Sequence, residues 1–445
     1  MKKVLIVSPY FPPFNTADMQ RVRQTLPYLR EMGWEPTVLT VDEKYVDAYS
    51  TDPLLLQTIP NDIKIEKVNA LKGTLTRRFG IGSLSLRAFF SMRNKGDELF
   101  QKQRFDLVYF STTAFHVMAL GPHWKKKFGV PFILDIQDPW YNTYYFNNAL
   151  SKKTLKARLF HRLDKYLEEK TLPFADGIIS VSAGYEKLYL QRYSTLQAEQ
   201  FCVIPFGCAE LDFPIAKANV SASRVRFPEE HFNMVYIGRG GQDMTFASGI
   251  IFDAVKMGLQ SRPDVFSKLH LWFIGTSYAQ AGEGKKTIEP IAHQKGLANL
   301  VTEVTDRLPY FETLHLLDKA NLLFMPGSTD PTYTASKVYP YIYLNKPLLA
   351  VFHEKSSVCE IIGKTSAAKV VPFTDAVKEE DKKKMTEDCY HYFLKVISNQ
   401  EKTAGFNRAA FEEYTAKAMT AKQVDFFNRI TAHFSFVQPK TFQEA

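Results

Sequence analysis

Short apolar runs bounded by turn residues recur along the chain and alternate with longer stretches whose apolar residues follow helical spacing. Val22, Leu26 and Leu29 show this spacing after the first loop and predict a helix there. Buried strands that alternate with helices are typical of a mostly parallel sheet covered on both faces. The predicted strands are Val4–Val7, Pro36–Thr40, Leu107–Phe110, Phe132–Asp135, Gly177–Val181, Phe232–Gly238, Leu269–Gly275, Ala320–Met325 and Pro347–Val351.

This pattern stops near the middle of the chain and then begins again. The last residues before the pause are Val203–Gly207, and a polar, irregular stretch continues to about Pro228. The chain has 445 residues, which at about 150 residues per domain indicates two or three domains. We therefore predict doubly wound α/β domains at residues 1–215 and 228–412, and a final segment, residues 413–445, with a helical pattern over about Lys417–Ile430.

The charge balance narrows the range of ligands. The chain carries 56 Lys and Arg against 47 Asp and Glu, a net charge of +9. This excess favours an anionic ligand, an anionic membrane face or nucleic acid, and does not choose among them. The aromatic residues fall in predicted strands and cores rather than on a spaced stacking platform, so a nucleic-acid module is not predicted.

The cellular compartment is predicted from the lack of a membrane-spanning run and of a signal peptide, and from the cysteines. No apolar run reaches the roughly 18 residues that a membrane span requires. The first apolar run is stopped by Pro12 and Pro13 and has no cleavage site after it, which favours a buried strand over a signal peptide. The four cysteines show no metal-binding spacing and are typical of reduced thiols. We predict a cytoplasmic protein.

Polar residues follow the first predicted strand, at an edge where open parallel sheets bind ligands. Asn15, Thr16 and Asp18 lie in this loop, ahead of the predicted helix. Any of them is a suitable helix cap, and the N–H groups of that helix would attract an anion or a sugar hydroxyl. An ordinary capped loop explains the same residues equally well.

Two carboxylates end the fourth predicted strand. Asp135 and Asp138 lie beside Trp140 and fit a carboxylate pair, or a single base with its neighbour. Capping of the turn before Pro139 is the structural alternative. No further metal ligands follow at a suitable spacing, so a metal site is not favoured.

A glycine turn follows the strand that ends at Gly238. Its sequence, Gly238-Arg239-Gly240-Gly241, allows close approach of a ligand to the backbone, and the Arg239 guanidinium can fork to phosphate oxygens. The turn lacks the last glycine of the dinucleotide-binding fingerprint. An ordinary glycine turn is the alternative.

The stretch Pro326–Tyr341 leaves a strand, passes through turn residues and enters a predicted helix near Ser336. Thr334 and Ser336 are favourable caps. Lys337 would then lie in the first helical turn, where a cation opposes the helix dipole. A bound anion would remove this conflict, whereas a solvated lysine on a capped helix would leave it.

Two stretches in the N-terminal half combine basic and aromatic residues and fit either an anionic lipid surface or the solvated faces of packed helices. The stretches contain Arg77, Arg78, Phe79, Arg87, Phe89, Phe90 and Arg93, and Lys152, Lys153, Lys156, Arg158, Phe160 and Arg162.

Taken in order, these motifs resemble the GT-B glycosyltransferases, specifically the retaining family-four group, over nearly the whole chain. The matching segments are the loop Val7–Pro13, Gly33–Thr40, Asp135–Trp140, Ala175–Ser182, Val203–Gly207 and Tyr236–Arg239.

The resemblance implies two facing Rossmann-like domains with a cleft between them. The N-terminal domain would bind the acceptor, and the C-terminal domain would bind a nucleotide diphosphate sugar. The final helix would cross back to the N-terminal domain. The enzyme would transfer a sugar, with retention and without metal or cofactor, to a saccharide or lipid-linked acceptor. The expected setting is bacterial surface polysaccharide or glycolipid assembly in the cytoplasm, with a peripheral position on the membrane as one option.

The resemblance also implies roles for single residues. Arg239 and Lys337 would stabilise the leaving diphosphate, and Asp138 would complete the catalytic set on the acceptor side. The donor-binding residues would be Gly238, Gly240, Arg307, Asp330, Thr334, Ala335 and Ser336, and the acceptor-side residues Asn15, Thr16 and Asp18.

One departure from the family pattern keeps other functions open. The family's two glutamates, which have seven residues between them, would fall on Thr332 and Pro340, and Asp330 is the nearest acidic replacement for the first. Proline cannot hold a nucleotide ribose. A catalytically silent sugar-nucleotide-binding protein therefore remains an alternative, as does a GT-B nucleotide-sugar epimerase, although no acid/base set for epimerisation is visible.

Overall fold

The chain forms two compact units. A computed structural model describes residues 1–47, 50–141, 154–221, 223–331, 333, 335–366 and 368–437. Unit 1 contains Met1–Phe206 together with the segment that begins at Ala416, and unit 2 contains Gly207–Thr415. The stretch from Gly207 to Pro228, which the sequence pattern assigns to a linker, lies in unit 2 and includes a helix.

Unit 1 is built on a seven-stranded parallel sheet in the order β3-β2-β1-β4-β5-β6-β7. Its central strands are buried along their whole length, as expected where helices cover both faces. The strands are β1 Lys2–Val7, β2 Trp34–Val41, β3 Lys64–Val68, β4 Leu107–Ser111, β5 Phe132–Ile136, β6 Gly177–Ser180 and β7 Phe201–Val203. The helices are α1 Gln20–Leu29, α2 Gly73–Thr76, α3 Leu84–Lys102, α4 Leu120–Phe128, α5 Leu155–Thr171, α6 Ala183–Arg192 and α16 Ala416–Val437, with short 3-10 turns that include Arg77–Phe79 and Phe115–Ala119.

Unit 2 repeats this architecture with six parallel strands in the order β10-β9-β8-β11-β12-β13. The strands are β8 Phe232–Ile237, β9 Leu269–Ile274, β10 Val301–Val304, β11 Leu322–Pro326, β12 Leu348–His353 and β13 Lys369–Phe373. The helices are α7 Asp212–Asn219, α8 Thr245–Ser261, α9 Pro263–Phe266, α10 Glu289–Gln294, α11 Tyr310–Lys319, α12 Val338–Tyr343, α13 Ser357–Thr365, α14 Glu379–Ile397 and α15 Arg408–Phe411.

The predicted α/β class and parallel sheets are confirmed, and each strand predicted from an apolar run is present. The four strands absent from that prediction, β3, β7, β10 and β13, are the edge strands of the two sheets. Edge strands are only partly covered, so β3 and β10 tolerate polar residues and do not form an apolar run. β7 is apolar but has only three residues. β3 has the sequence KIEKV, in which three of five residues are charged.

The last helix, α16, packs against unit 1 through aromatic contacts. The Phe427 ring lies 5.4 Å from that of Trp34 and 5.1 Å from that of Tyr109. Lys2 Nζ donates to Asn428 Oδ1 at 3.1 Å and to Thr431 Oγ1 at 2.9 Å. The absence of a side chain at Gly177 is required here, because a Cβ would lie 2.8 Å from the Phe426 ring.

The first basic stretch contains both buried and exposed residues. Arg87 is buried and forms an ion pair with Asp47 at 2.6 Å, and Phe89 packs against the core of unit 1. Neither is available to a lipid surface, so for these two residues the structure favours the alternative of packed helices. Phe90 is exposed, with the Arg93 guanidinium 5.2 Å from its ring. In the second stretch, Lys152 and Lys153 lie outside the described residues.

Candidate functional site

The donor-side candidates collect at the carboxyl edge of the unit 2 sheet. β8 and β11 are adjacent, with Leu322 opposite Met234, so the loops that follow them lie side by side. Thr329 N–H donates to the Asp243 backbone oxygen at 2.9 Å and joins the two loops directly. Ligands of open parallel sheets bind at this edge.

The glycine turn after β8 uses its N–H groups within the protein. Gly238 N–H donates to the Ile274 oxygen at 2.9 Å, and Gly240 N–H donates to the Thr276 oxygen at 2.8 Å. A Cβ at Gly240 would lie 2.6 Å from Thr287 Oγ1. A Cβ at Gly238 would clash with the Tyr236 hydroxyl, so close packing explains the glycine at both positions. The N–H groups of Gly238 and Gly240 are used within the protein, and a close approach of a ligand to this turn remains a prediction.

Arg239 is held by a carboxylate. Its Nη1 and Nη2 atoms pair with Asp243 Oδ1 and Oδ2 at 3.0 and 2.6 Å, and its guanidinium lies 4.5 Å from the centre of the Tyr333 ring. The hydrogen bonds to Asp243 raise the pKa of Arg239. The fork that the sequence assigns to phosphate is thus occupied by Asp243, which also accepts a 2.6 Å hydrogen bond from Ser328 Oγ.

The helix after β11 begins later than predicted. α12 starts at Val338 and has six residues, and no side chain caps it. Ser336 and Lys337 are exposed and precede the helix, so neither the predicted cap nor the first-turn lysine is present. Ala335 is buried in the core of unit 2, and Thr334 lies outside the described residues.

The Lys337 ammonium group has two arginines, Arg239 and Arg307, as its charged neighbours. The residue is exposed, but the protein around it displaces water, and this desolvation together with Coulomb repulsion from Arg307 and Arg239 lowers its pKa to about 7. No carboxylate of the described residues forms an ion pair with its ammonium group. A bound anion would supply the missing counter-charge.

Arg307 and Asp330 lie in exposed positions of the same unit. The Arg307 guanidinium lies 4.0 Å from the centre of the Tyr278 ring, a geometry typical of a cation–π pair. Tyr278 is 72% exposed, so its ring is available to a ligand and is not part of the hydrophobic core. Asp330 is exposed, and its N–H donates to Ser328 Oγ at 3.0 Å.

The acceptor-side loop of unit 1 does not cap its helix. α1 begins at Gln20, after Met19, without a side-chain cap. The buried Asp18 carboxylate instead accepts from Thr112 Oγ1 at 2.9 Å and from Thr113 N–H at 3.3 Å, and desolvation raises its pKa. The predicted cap is therefore wrong, and Asp18 joins the loops that follow β1 and β4.

The remaining loop residues line the same edge. Thr16 is buried beside Asp18. Asn15 is half-buried, and its N–H donates to the Ser50 oxygen at 2.8 Å.

The two carboxylates after β5 have separate environments. Asp135 is fully buried and pairs with Arg21 at 2.8 Å, and it accepts from Ser111 Oγ at 2.7 Å and Gln137 Nε2 at 3.0 Å. Asp138 is exposed at the end of the strand, and desolvation by the surrounding protein raises its pKa. Asp135 is therefore structural, and Asp138 alone of the two faces solvent.

Three of the residues at these edges were not predicted. Asp243 lies four residues after Arg239, which is ion-pair spacing on a helix, so the sequence carried a signal for it. Tyr333 and Tyr278 stack on Arg239 and Arg307, which are distant from them in sequence. No local sequence pattern predicts such contacts.

The N-terminal half of the chain is similar to a known protein family. The sequence model of Glycosyltransferase Family 4 matches residues 20–208. No curated protein sequence matches the chain significantly.

Solved structures match both units together. Sucrose-phosphate synthase from Thermosynechococcus elongatus is 15% identical and has a TM-score of 0.58, with 97% of this chain and 100% of that chain covered. HepE from Anabaena, in complex with UDP-glucose, is 16% identical with a TM-score of 0.51 and covers 98% and 100% of the two chains. A UDP-forming trehalose-phosphate synthase from Burkholderia xenovorans is 11% identical with a TM-score of 0.56 and covers 97% and 99%.

These matches confirm the predicted GT-B fold and the resemblance to family-four glycosyltransferases.

Proposed function

We propose that this chain, which has the GT-B fold and an N-terminal half similar to family-four glycosyltransferases, transfers a sugar from a nucleoside diphosphate sugar to a hydroxyl acceptor with retention. The observation that carries the proposal is the Lys337 ammonium. This group is repelled by Arg239 and Arg307 at the carboxyl edge of the unit 2 sheet. Among the described residues no carboxylate forms an ion pair with it.

Cleavage of the bond between the sugar and the diphosphate leaves growing negative charge on the diphosphate. A cation placed before the reaction stabilises that charge without reorganisation, and it is worth most where the developing charge is largest. We assign this role to Lys337. The Arg239 guanidinium is paired with Asp243, so we assign it a smaller part in stabilising this charge. The pair also holds the loop that carries Ser328 and Tyr333, because Asp243 accepts a hydrogen bond from Ser328.

The other residues have positions that suit the two substrates. Arg307 with Tyr278 offers a flat, cationic surface for the nucleotide base, and Asp330 offers a carboxylate for sugar hydroxyls. In unit 1, Asp138 and the Asn15–Asp18 loop line the edge assigned to the acceptor. An accessible carboxylate with a raised pKa suits proton exchange with an acceptor hydroxyl.

We further propose that no metal takes part and that the product is a surface polysaccharide or glycolipid on a saccharide or lipid-linked acceptor. Lys337 with Arg307 and Arg239 supplies the positive charge that a divalent cation would otherwise provide. Within the described ranges, no group of three or more His, Cys, Asp and Glu side chains is arranged to hold a metal ion.

A silent nucleotide-sugar-binding protein is the second candidate. Pro340 occupies the position of the family's ribose-binding glutamate and lies inside α12. Proline offers no side-chain acceptor for ribose hydroxyls. Thr332 and Pro340 stand where the family has its two glutamates, and the loss of both favours a protein that holds the donor through its phosphates without turning it over.

The test is a transfer assay with a panel of nucleoside diphosphate sugars, with and without acceptor, in the presence of a chelator. We expect sugar transfer with release of the nucleoside diphosphate and unchanged turnover in chelator. Binding without turnover would indicate the silent protein, and an epimerised donor would indicate an epimerase. Loss of turnover in chelator that magnesium or manganese restores would contradict metal independence.

The lowered pKa of Lys337 predicts a pH dependence of nucleotide binding. A bound diphosphate raises this pKa above about 7, so binding takes up a proton at higher pH. UDP affinity should therefore fall as pH rises above 7, by up to about tenfold per pH unit. The phosphate itself titrates near pH 6, so calorimetric titrations are made from neutral to alkaline pH. Lys337→Ala should abolish the slope, and an equal slope in that variant would assign it to another group.

A further inference from the structure

The first turns of α5 are exposed in the described part of the chain. Leu155, Lys156, Ala157, Arg158 and Leu159 are all exposed, and five consecutive residues of a helix pass around its whole circumference. Leu155 is 75% exposed and Leu159 is 55% exposed. These two leucines are four residues apart and lie on the same side of the helix.

A second exposed segment with the same composition lies next to this helix. Leu71 and Leu75 are 61% and 59% exposed, and Lys72, Arg77 and Arg78 are exposed around them. The segment ends at Gly80, where a Cβ would lie 3.4 Å from the Lys156 side chain. Residues 71–80 and 154–163 are therefore adjacent on unit 1, although about 75 residues separate them in sequence.

One buried hydrogen bond and one close polar contact support this arrangement. Ser85 Oγ and His116 Nδ1 are 2.7 Å apart, and His116 Nε2 lies 3.1 Å from Asp164 Oδ1. This chain of contacts joins α3, the 3-10 turn Phe115–Ala119 and the middle of α5. The exposed start of α5 therefore belongs to a helix that is anchored to the rest of unit 1 through its middle.

The charge of the two segments is of one sign. Residues 71–80 contain Lys72, Arg77 and Arg78, residues 154–163 contain Lys156, Arg158 and Arg162, and neither segment contains Asp or Glu. Arg77 forms an ion pair with Asp47 at 2.9 Å, so the other five cations carry the charge offered to a ligand. Exposed leucines interleaved with cations are typical of a surface that inserts at a lipid interface while its charges meet anionic headgroups. A protein interface of similar size would place its charges at the rim of an apolar centre.

We propose that residues 71–80 and 154–163 together form a docking surface for an anionic lipid bilayer, and we call it the basic leucine surface. It holds unit 1 on the membrane peripherally. Among the described helices none has both the length and the apolar composition needed to cross a bilayer. The proposal is independent of the transferase chemistry, although it suits a lipid-linked acceptor.

The test is co-sedimentation with vesicles of phosphatidylcholine, with or without phosphatidylglycerol, without donor or acceptor present. We expect binding only with phosphatidylglycerol, and weaker binding as salt is raised. Changing Lys72, Arg78, Lys156 and Arg158 together to glutamine should weaken binding on the order of 1,000-fold at low salt. Leu75→Gln with Leu155→Gln should weaken it while the net charge is unchanged.

The matched control removes the same number of charges elsewhere, as Lys126, Lys217, Lys383 and Lys384 changed to glutamine, all of which are exposed. The control should bind vesicles as the unaltered chain does. Equal binding to neutral vesicles, an equal loss in the control, or no binding at all would overturn the proposal. A dimer that the two leucine changes dissociate would assign the surface to a second copy instead.

Circular dichroism and thermal unfolding verify that each variant is folded. Transfer to a water-soluble acceptor should be the same in the variants of the basic leucine surface as in the unaltered chain. Failure of membrane binding therefore leaves the transferase proposal standing, and the reverse is also true.

Discussion

Replacing Lys337 by alanine is expected to lower kcat/KM for sugar transfer by about 100- to 1,000-fold, which corresponds to about 2.7–4 kcal/mol of transition-state stabilisation. The ammonium group would meet charge that grows on the leaving diphosphate, so kcat should fall more than substrate binding. Lys337 is exposed and has no ion-pair partner within the described part of the chain, so the fold should not depend on it. Steady-state kinetics with the donor identified by the panel measures the effect.

The matched control is Lys383→Ala, an exposed lysine on α14 of the same unit. It should leave kcat/KM unchanged, and both variants should unfold at the temperature of the unaltered chain. Lys337→Arg keeps the charge but changes its position, so partial activity is expected. Near-normal kcat/KM in Lys337→Ala would place the leaving group elsewhere.

Replacing Asp135 by alanine is expected to destabilise unit 1 by about 3–5 kcal/mol, because it leaves the buried Arg21 guanidinium without its carboxylate. Arg21 also donates to the Ile204 oxygen at 2.7 Å, so the pair joins α1 to β5 and to the end of β7. Denaturant unfolding followed by tryptophan fluorescence suits this measurement. Three of the four tryptophans, Trp34, Trp124 and Trp140, belong to unit 1.

The neighbouring carboxylate provides the comparison. Asp138→Ala removes an exposed side chain and should change stability by about 0.5 kcal/mol or less. It should lower transfer activity, in keeping with the role proposed for this residue. If Asp135→Ala and Asp138→Ala lose equal stability, the distinction between a structural and an exposed carboxylate does not hold.

The sequence predicted the interior of both sheets because buried parallel strands form apolar runs that are bounded by turns. β4 and β5 show this, since every residue in them is buried. β3 and β10 were missed because they combine polar and apolar residues, and β7 was missed because it has only three residues. Three of the five residues of β3 are charged, and nothing local distinguishes it from a loop.

At the site, the sequence predicted which residues gather but not what each contacts. The loops that carry Arg239 and Lys337 lie side by side because β8 and β11 are neighbours in the sheet order. The Arg239 fork proved to be occupied by Asp243, and the N–H groups of Gly238 and Gly240 by β9 and its loop. Such contacts depend on side-chain geometry, which residue type and spacing do not specify.

The late start of α12 has a similar cause. Thr334 and Ser336 are suitable caps by residue type, but the helix begins at Val338, where buried aromatic residues determine the packing. Tyr339 and Tyr341 are fully buried in the core of unit 2. Tertiary packing thus overrode the local cap signal and placed Lys337 ahead of the helix.

The most direct test of the central claim is a crystal structure of the chain with bound UDP. The account predicts the diphosphate within hydrogen-bond distance of Lys337 Nζ, with the base beside Arg307 and Tyr278. A diphosphate bound away from Lys337, or no nucleotide at the carboxyl edge of the unit 2 sheet at saturating UDP, would contradict it.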